Sequence, residues 1–301
     1  MSAAEGLGLN RVPWLLRTLR KRPSYIFGRF RAVRAAYSRI QNIRQVFGGP
    51  RTLMIGDWAQ TPVTPLKVAP SDFVTTTRSR EQHFQELARN AFSTGIQLTP
   101  DACENLLSVA KHGPLRLKGQ PVRLLTSYDE IDSTGLRQRA AVVPVHDSIR
   151  SDVIKGIASD PIIVETVANY LGYFPKTVRS YFSWSLVNAM TEAERAPLQT
   201  IRFHYDVEGY NFIYVSFYLV PTDAQSGAHV IIAGSHRDKR LRHLLGSTRM
   251  ADAQALRDYG ESRIKLIEGA AGTGFFEDAS CYHKALTPLT QDRLMLQLRY
   301  Q

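Results

Sequence analysis

A mainly β domain, an antiparallel β core with flanking helices, is the fold that this 301-residue sequence predicts. Two observations predict it. Helix-type periodicity dominates the first half, and after Pro175 the chain breaks into short runs rich in β-branched and aromatic residues, separated by turn residues. Helices first and strands after point to a β core with helices against it. The hydrophobic content of 44% and the length suffice for a substantial buried core.

The first predicted element is a helix over residues 24–47, where Ile26, Phe30, Val33, Tyr37, Ile40 and Phe47 recur at three- and four-residue steps. Ser24 is its N-cap, and Gly48-Gly49-Pro50 stops it. Arg29, Arg31, Arg34, Arg39 and Arg44 lie largely off the apolar stripe, which makes the helix basic and amphipathic. Residues 61–71, with Pro62, Pro65 and Pro70, read as an irregular connection. Helices follow over 81–92, from Thr99-Pro100-Asp101 onward, and over 160–171, where Gly172 closes the last. Strands are predicted over 178–188, 212–220, 229–233, 274–276 and 294–300.

The net charge of +11 is concentrated at one end. Residues 1–56 hold 11 Lys and Arg against the single acid Glu5, and the other 27 basic residues face 26 acidic ones. A basic helical segment, residues 1–50, is thus expected ahead of a nearly neutral domain, residues 51–301. No nucleic-acid partner is expected, because the body carries no matching basic excess. For residues 11–47, with Trp14, Phe27 and Phe30, three readings stand open: peripheral contact with an anionic membrane, an organelle transit peptide, or packing on the core with a solvated basic face. Two cysteines exclude a disulfide framework and suit a reducing compartment. No apolar run is long enough to cross a bilayer, and residues 13–16 run straight into Arg17, Arg20, Lys21 and Arg22, which does not suit a secretory signal. A cytoplasmic location is expected, with membrane association or organelle targeting as the alternatives.

His204-Tyr205-Asp206, with His283 and Arg293 further on, carries the chemistry. On extended chain a His and a carboxylate two apart point to the same side, so with one distant His they can occupy neighbouring positions on one divalent metal. Such a two-histidine, one-carboxylate face leaves coordination sites open for reactants, as non-haem Fe(II) chemistry requires. Two antiparallel strands would bring His283 and Arg293 side by side, and Arg293 would offer a charged fork to a carboxylate, unless Asp292 or Glu277 pairs with it. A second His-x-Asp, His236-Arg237-Asp238, lies in a charged run predicted to be a solvated turn, a poor place to fix a ligand.

The order Phe203-His204-Tyr205-Asp206, Gly227 to Val230, Ala233-Gly234-Ser235-His236-Arg237, His283 and Arg293 resembles the phytanoyl-CoA dioxygenase family, over about residues 175–301. The resemblance implies a double-stranded β-helix (jelly-roll, cupin-like) core and an Fe(II)- and 2-oxoglutarate-dependent dioxygenase that uses O2 and releases succinate and CO2. It implies that His204, Asp206 and His283 bind iron, that Arg293 holds 2-oxoglutarate, and that the Gly-Ser-His-Arg segment closes a strand. Ala233 departs from the family's usual proline, and Ala285 from a small hydroxyl residue. The retained carboxylate favours hydroxylation of a small or lipid-linked organic substrate over halogenation. A non-catalytic jelly-roll binding protein with a residual metal site is the alternative. Alternation along 212–220 puts Tyr214 and Ser216 on one face as candidate 2-oxoglutarate contacts, with packing as their other reading. Either Tyr181, Ser183 and Ser185 or Phe182 and Trp184 line the substrate side. Arg202 would meet an anionic substrate or stay on the surface.

Overall fold

Two facing sheets carry the fold in the computed structural model, which describes residues 23–47, 52–55, 59–62, 71–117 and 123–301. The strands are β1 (Thr52–Ile55), β2 (Ala59–Pro62), β3 (Val74–Thr76), β4 (Phe92–Leu98), β5 (Leu115–Leu117), β6 (Arg123–Leu125), β7 (Val142–Pro144), β8 (Thr177–Ser185), β9 (Ile213–Tyr218), β10 (His229–Ile232), β11 (Ile264–Ile267), β12 (Thr273–Glu277), β13 (His283–Ala285) and β14 (Arg293–Tyr300). The large sheet has the order β2-β1-β8-β14-β9-β12-β4-β3, with β7 also paired on β8, and the small sheet has the order β11-β10-β13. Among the described residues every pairing is antiparallel except β1 with β8.

From β8 onward the chain winds between the sheets. β8, β9, β12 and β14 belong to the large one; β10, β11, β13 and His204, which bridges to His283, belong to the small one. This alternation is the winding of a double-stranded β-helix, so the jelly-roll core is present. Tyr218 ties the sheets together: its hydroxyl donates to Ile267 O at 3.0 Å and accepts from His229 N at 2.9 Å.

Register settles which way each residue of the large sheet points. Arg293 pairs with Ser185, Met295 with Ser183 and Gln297 with Tyr181, and on the other side Gln297 pairs with Ser216 and Arg299 with Tyr214. Paired residues share a face, so Tyr181, Ser183, Ser185, Tyr214, Ser216 and Arg293 all look toward the small sheet. Phe182, Trp184, Val215, Phe217, Leu294 and Leu296 take the opposite face and join the main core. The helices Pro100–His112, Asp152–Ser159 and Pro161–Leu171 cover that face, and Trp184 Nε1 donates to Ala110 O at 3.1 Å. Two expected caps are present, Thr99, which accepts from Ala102 N, and Gly172, which closes its helix at φ 75°; Asp160, read as the first helical residue, is the N-cap and accepts from Ile162 N.

The basic N-terminal helix is two helices, Pro23–Phe27 and Arg31–Val46. They part at Gly28, where a Cβ would lie 2.4 Å from Gly209 O, so only glycine permits the close approach. Ser24 lies inside the first helix and does not cap it. Arg34 and Gln41 are buried against the core, whereas Ile40, Ile43, Val46 and Phe47 are exposed. Lys176 Nζ donates to Gln41 Oε1, and Gln45 exchanges two bonds with the Phe174 backbone, each at 2.8 Å. Packing on the core is therefore what the described part of the segment shows on its inner face; residues 11–22, on which the transit reading mainly rests, lie outside the described residues. Among the described residues no helix is long and apolar enough to cross a membrane.

Strand content in the first half departs from the sequence expectation. β2 occupies residues 59–62, at the start of the predicted irregular connection, and β3 and β4 extend the large sheet. β4, Phe-Ser-Thr-Gly-Ile-Gln-Leu, is interrupted by Gly95 at φ 98° and shows no clean alternation, so its pairing with β12 is what makes it a strand.

The two-faced sheet gives a stability test on adjacent residues. Leu296→Ala, which empties a fully buried site in the helix-covered core, is expected to cost about 2–5 kcal/mol in urea unfolding. Gln297→Ala removes only a 3.4 Å bond to Ser216 Oγ on the inner face and should cost less than about 1 kcal/mol. Equal losses would contradict the assignment of faces.

Candidate metal centre

The segment carrying His204 lies beside β13. His204 N donates to His283 O at 3.0 Å and His283 N donates to His204 O at 2.8 Å, a hydrogen-bonded antiparallel pair whose side chains share one face. The imidazole centroids stand 4.3 Å apart. Two residues on, Asp206 points the same way by strand alternation, while Tyr205 points to the other side and meets Tyr282 edge-on at 5.3 Å. Phe203, Tyr205, Tyr282 and Ile232 form a separate apolar cluster that supports the small sheet from outside.

Hydrogen bonding assigns the free nitrogen of each ring. His204 Nδ1 lies 3.1 Å from Arg202 O and His283 Nδ1 lies 3.1 Å from Cys281 O. A carbonyl only accepts, so each Nδ1 carries the proton and each Nε2 keeps its lone pair. Both lone pairs face the same carboxylate: His204 Nε2 is 3.5 Å from Asp206 Oδ1, and His283 Nε2 is 3.9 Å from Asp206 Oδ2. One ligand atom from each of the three residues falls within a 4.8 Å sphere of mutual separations, the spacing one divalent cation spans. Burial, with His283 nearby, lowers the His204 pKa to about 3, which favours the neutral ring that a metal needs. Burial raises the Asp206 pKa, with His283 and the Tyr214 hydroxyl acting against it.

A second group, Glu277, Cys281 and His283, meets the same distance criterion. Its chemistry is poorer. Burial and Glu277 push the Cys281 thiol well above its ordinary pKa, so the thiolate that a metal needs is disfavoured. Glu277, fully buried, lies 3.1 Å from His229 Nε2 and 3.4 Å from His283 Nδ1, behind the ring and not at its free nitrogen. A carboxylate in that place orients a metal-binding histidine. Nothing in the sequence order marked His229 or Glu277 for that neighbourhood; both enter it through the facing of β10 and β12.

Arg293 does not lie beside His283. β14 belongs to the large sheet and β13 to the small one, so the expected side-by-side placement on adjacent strands gives way to placement in two facing sheets. Nor does Arg293 pair with Asp292 or Glu277: Asp292 takes Arg137 and Glu277 takes His229. Its Nη groups donate to Gly227 O and, at 3.1 Å, to Ser185 Oγ, while its Nε has no partner. Among the described residues no carboxylate reaches this fully buried guanidinium, and burial lowers its pKa. An unneutralised buried cation of this kind fits an anionic ligand group.

The remaining candidates are placed as follows. Tyr214 sits beside Asp206, and Ser216 is fully buried, accepting at 3.4 Å from Gln297. Tyr181, Ser183 and Ser185 take the inner face, since Phe182 and Trp184 belong to the main core. Arg202 is exposed and pairs with Glu192 at 3.2 Å. In the second His-x-Asp, Asp238 pairs with Arg263 at 2.6 Å, and Ser235 Oγ accepts from Tyr282 N at 2.7 Å, so the Gly-Ser-His segment forms the turn that closes β10. His236 is not a solvated residue: its Nδ1 is buried, and burial lowers its pKa to about 4.

No family model and no curated protein matches the chain. Solved structures of similar shape include AviO1 from Streptomyces viridochromogenes Tue57, 14% identical, with 75% of this chain and 96% of that one covered at a TM-score of 0.44. The non-heme alpha ketoglutarate dependent epimerase SnoN from nogalamycin biosynthesis is 15% identical, over 74% of this chain and 82% of that one, at a TM-score of 0.49. EvdO2 from Micromonospora carbonacea var. aurantiaca, solved with 2-oxoglutarate, is 14% identical over 75% of this chain and 92% of that one, at a TM-score of 0.48.

Proposed function

We propose that the protein is a non-haem iron dioxygenase that consumes 2-oxoglutarate and O2 and hydroxylates a small or lipid-linked organic substrate. One observation carries the reading. Two histidines and a carboxylate turn their ligand atoms to one point, and a buried arginine without an acid among the described residues lies on the inner face of the opposing sheet. A metal alone would explain the first half of that arrangement and leave Arg293 a costly buried charge.

In this reading His204 Nε2, Asp206 and His283 Nε2 hold Fe(II), and Arg293 receives the distal carboxylate of 2-oxoglutarate. When bound, iron would let O2 and 2-oxoglutarate together supply an oxidant able to cleave a substrate C–H bond, with succinate and CO2 as by-products. The chain's own tasks are to fix the ligands, to orient the cosubstrate and to exclude water. Glu277 and the Cys281 carbonyl hold the His283 ring. Ser185 steadies the Arg293 fork, and Tyr214 and Ser216 are wall residues near the cosubstrate. Tyr181 and Ser183, exposed and half-buried on the same inner face, border the substrate's place. The likeness to the phytanoyl-CoA dioxygenase family rests on its motif residues.

Fe(II) added anaerobically with 2-oxoglutarate should give the weak visible charge-transfer band of the chelate. Arg293→Ala is expected to weaken 2-oxoglutarate binding about 10- to 100-fold in a titration of that band, with iron binding retained. A wild-type protein without the band, or an Arg293→Ala variant with unchanged affinity, would refute the assignment.

The outer face of the Arg31–Val46 helix supports peripheral contact with an anionic membrane as a further part of the proposal. Ile40, Ile43 and Phe47 lie within one exposed stripe, and Arg39 and Arg44 flank it on either side. Because Arg34 and Gln41 anchor the inner face, removing the helix is the wrong test. Replacing Ile40, Ile43 and Phe47 with serine should reduce flotation with phosphatidylglycerol vesicles several-fold while leaving the melting temperature unchanged. Equal flotation of variant and wild type would exclude this contact.

A further inference from the structure

We propose that Arg34, from the basic N-terminal helix, is a positioning residue that braces two of the three metal ligands; this rests on reading His204, Asp206 and His283 as the metal site. The Arg34 guanidinium reaches into a buried pocket between two chain segments. Its Nε and one Nη donate to Asn211 Oδ1 at 3.1 and 2.7 Å, the same Nη donates to Asp278 Oδ2 at 2.9 Å, and the other Nη donates to Ser280 Oγ. Asn211 follows Asp206 by five residues, and Asp278 and Ser280 precede His283. One side chain thus grips both segments that lead to the ligands.

The turn at residues 278–281 turns that grip into ligand orientation. Asp278 shapes it: Oδ1 accepts from Ser280 N at 3.0 Å, its carbonyl accepts from Cys281 N at 2.8 Å, and Tyr170 donates to Oδ2 at 2.6 Å. Two carbonyls of the turn then contact the candidate ligands directly. Ala279 O accepts from the backbone N of Asp206 at 2.8 Å, and Cys281 O accepts from His283 Nδ1 at 3.1 Å, the bond that leaves Nε2 free for metal. If the turn shifts, the Asp206 backbone and the His283 ring shift together. The helix adds a second hold, because Asn211 Nδ2 donates to Ser38 Oγ at 2.9 Å.

Fold stability alone would need only a charge opposite Asp278, whereas ligand positioning needs the planar fork that meets Asn211, Asp278 and Ser280 at once. Lysine supplies the charge without the fork. Full-length wild type, Arg34→Lys, Arg34→Gln, Ser280→Ala and Arg257→Gln are titrated with Co(II) and followed by visible d–d absorption, with thermal melting alongside. Arg257 is the control, being an exposed arginine. The brace predicts about 10-fold weaker Co(II) binding and an altered d–d band for Arg34→Lys, a larger loss up to about 100-fold for Arg34→Gln, and no change for Arg257→Gln. A folded Arg34→Lys protein with wild-type affinity and spectrum overturns the brace while the metal site stands. Failure of the wild type to bind Co(II) instead overturns the metal-site reading beneath it. Should both Arg34 variants fail to fold, Ser280→Ala decides by the same readouts, an altered spectrum supporting the brace and an unchanged one overturning it.

Discussion

The reciprocal backbone bonds between His204 and His283 are the constraint on which the site depends. These two residues are far apart in sequence, and no side-chain interaction could bring them together with fixed orientation. The antiparallel pair does so with two amide bonds of 2.8 and 3.0 Å. Once formed, the pleat decides the rest: both rings and the Asp206 carboxylate lie on the inner face, while Phe203, Tyr205 and Tyr282 lie on the outer face as support. The second bond of each ring to a backbone carbonyl then selects the tautomer. Geometry and protonation thus follow from main-chain positions, which are stiffer than side-chain contacts.

Charge burial gives the structure a second logic. A buried arginine usually comes with an acid, and Arg34 follows that rule with Asp278. Arg293 departs from it among the described residues, as do Arg29 and Arg195, whose acceptors are neutral oxygens too. What fits Arg293 to an anion arriving from outside is its place on the sheet face opposite the three ligands. Of the described arginines of the N-terminal segment, Arg29 and Arg34 are buried, Arg34 against the turn before His283, while Arg39 and Arg44 lie outside, beside an apolar stripe.

Much of the fold's second half was legible because its strands declare themselves locally. Residues 212–220 are dense in β-branched and aromatic side chains, and turn residues bound them. The order of His204, Asp206 and His283 was legible because an i, i+2 pair needs only extended chain to share a face. What was hidden is non-local. β4 lacks a clean alternation of its own and becomes a strand by pairing with β12. The parity of Tyr181 against Phe182 depends on where the helices sit, and the separation of His283 from Arg293 into two sheets depends on which strands pair. Arg34 sat among five arginines of one predicted helix; Arg29 and Arg34 are both buried, and the pairing of Arg34 with Asp278, which sets it apart, is non-local. Gly28 shows the same limit: periodicity ran through it, but the approach of Gly209 O breaks the helix there.

The central claim is that one face of the small sheet, and not the acid-and-thiol group behind it, is the metal centre. Anomalous diffraction from crystals grown with Co(II) tests it directly. The account predicts a single strong peak within bonding distance of His204 Nε2, an Asp206 oxygen and His283 Nε2. A peak between Glu277, Cys281 and His283 Nδ1, with His204 and Asp206 unengaged, would contradict it.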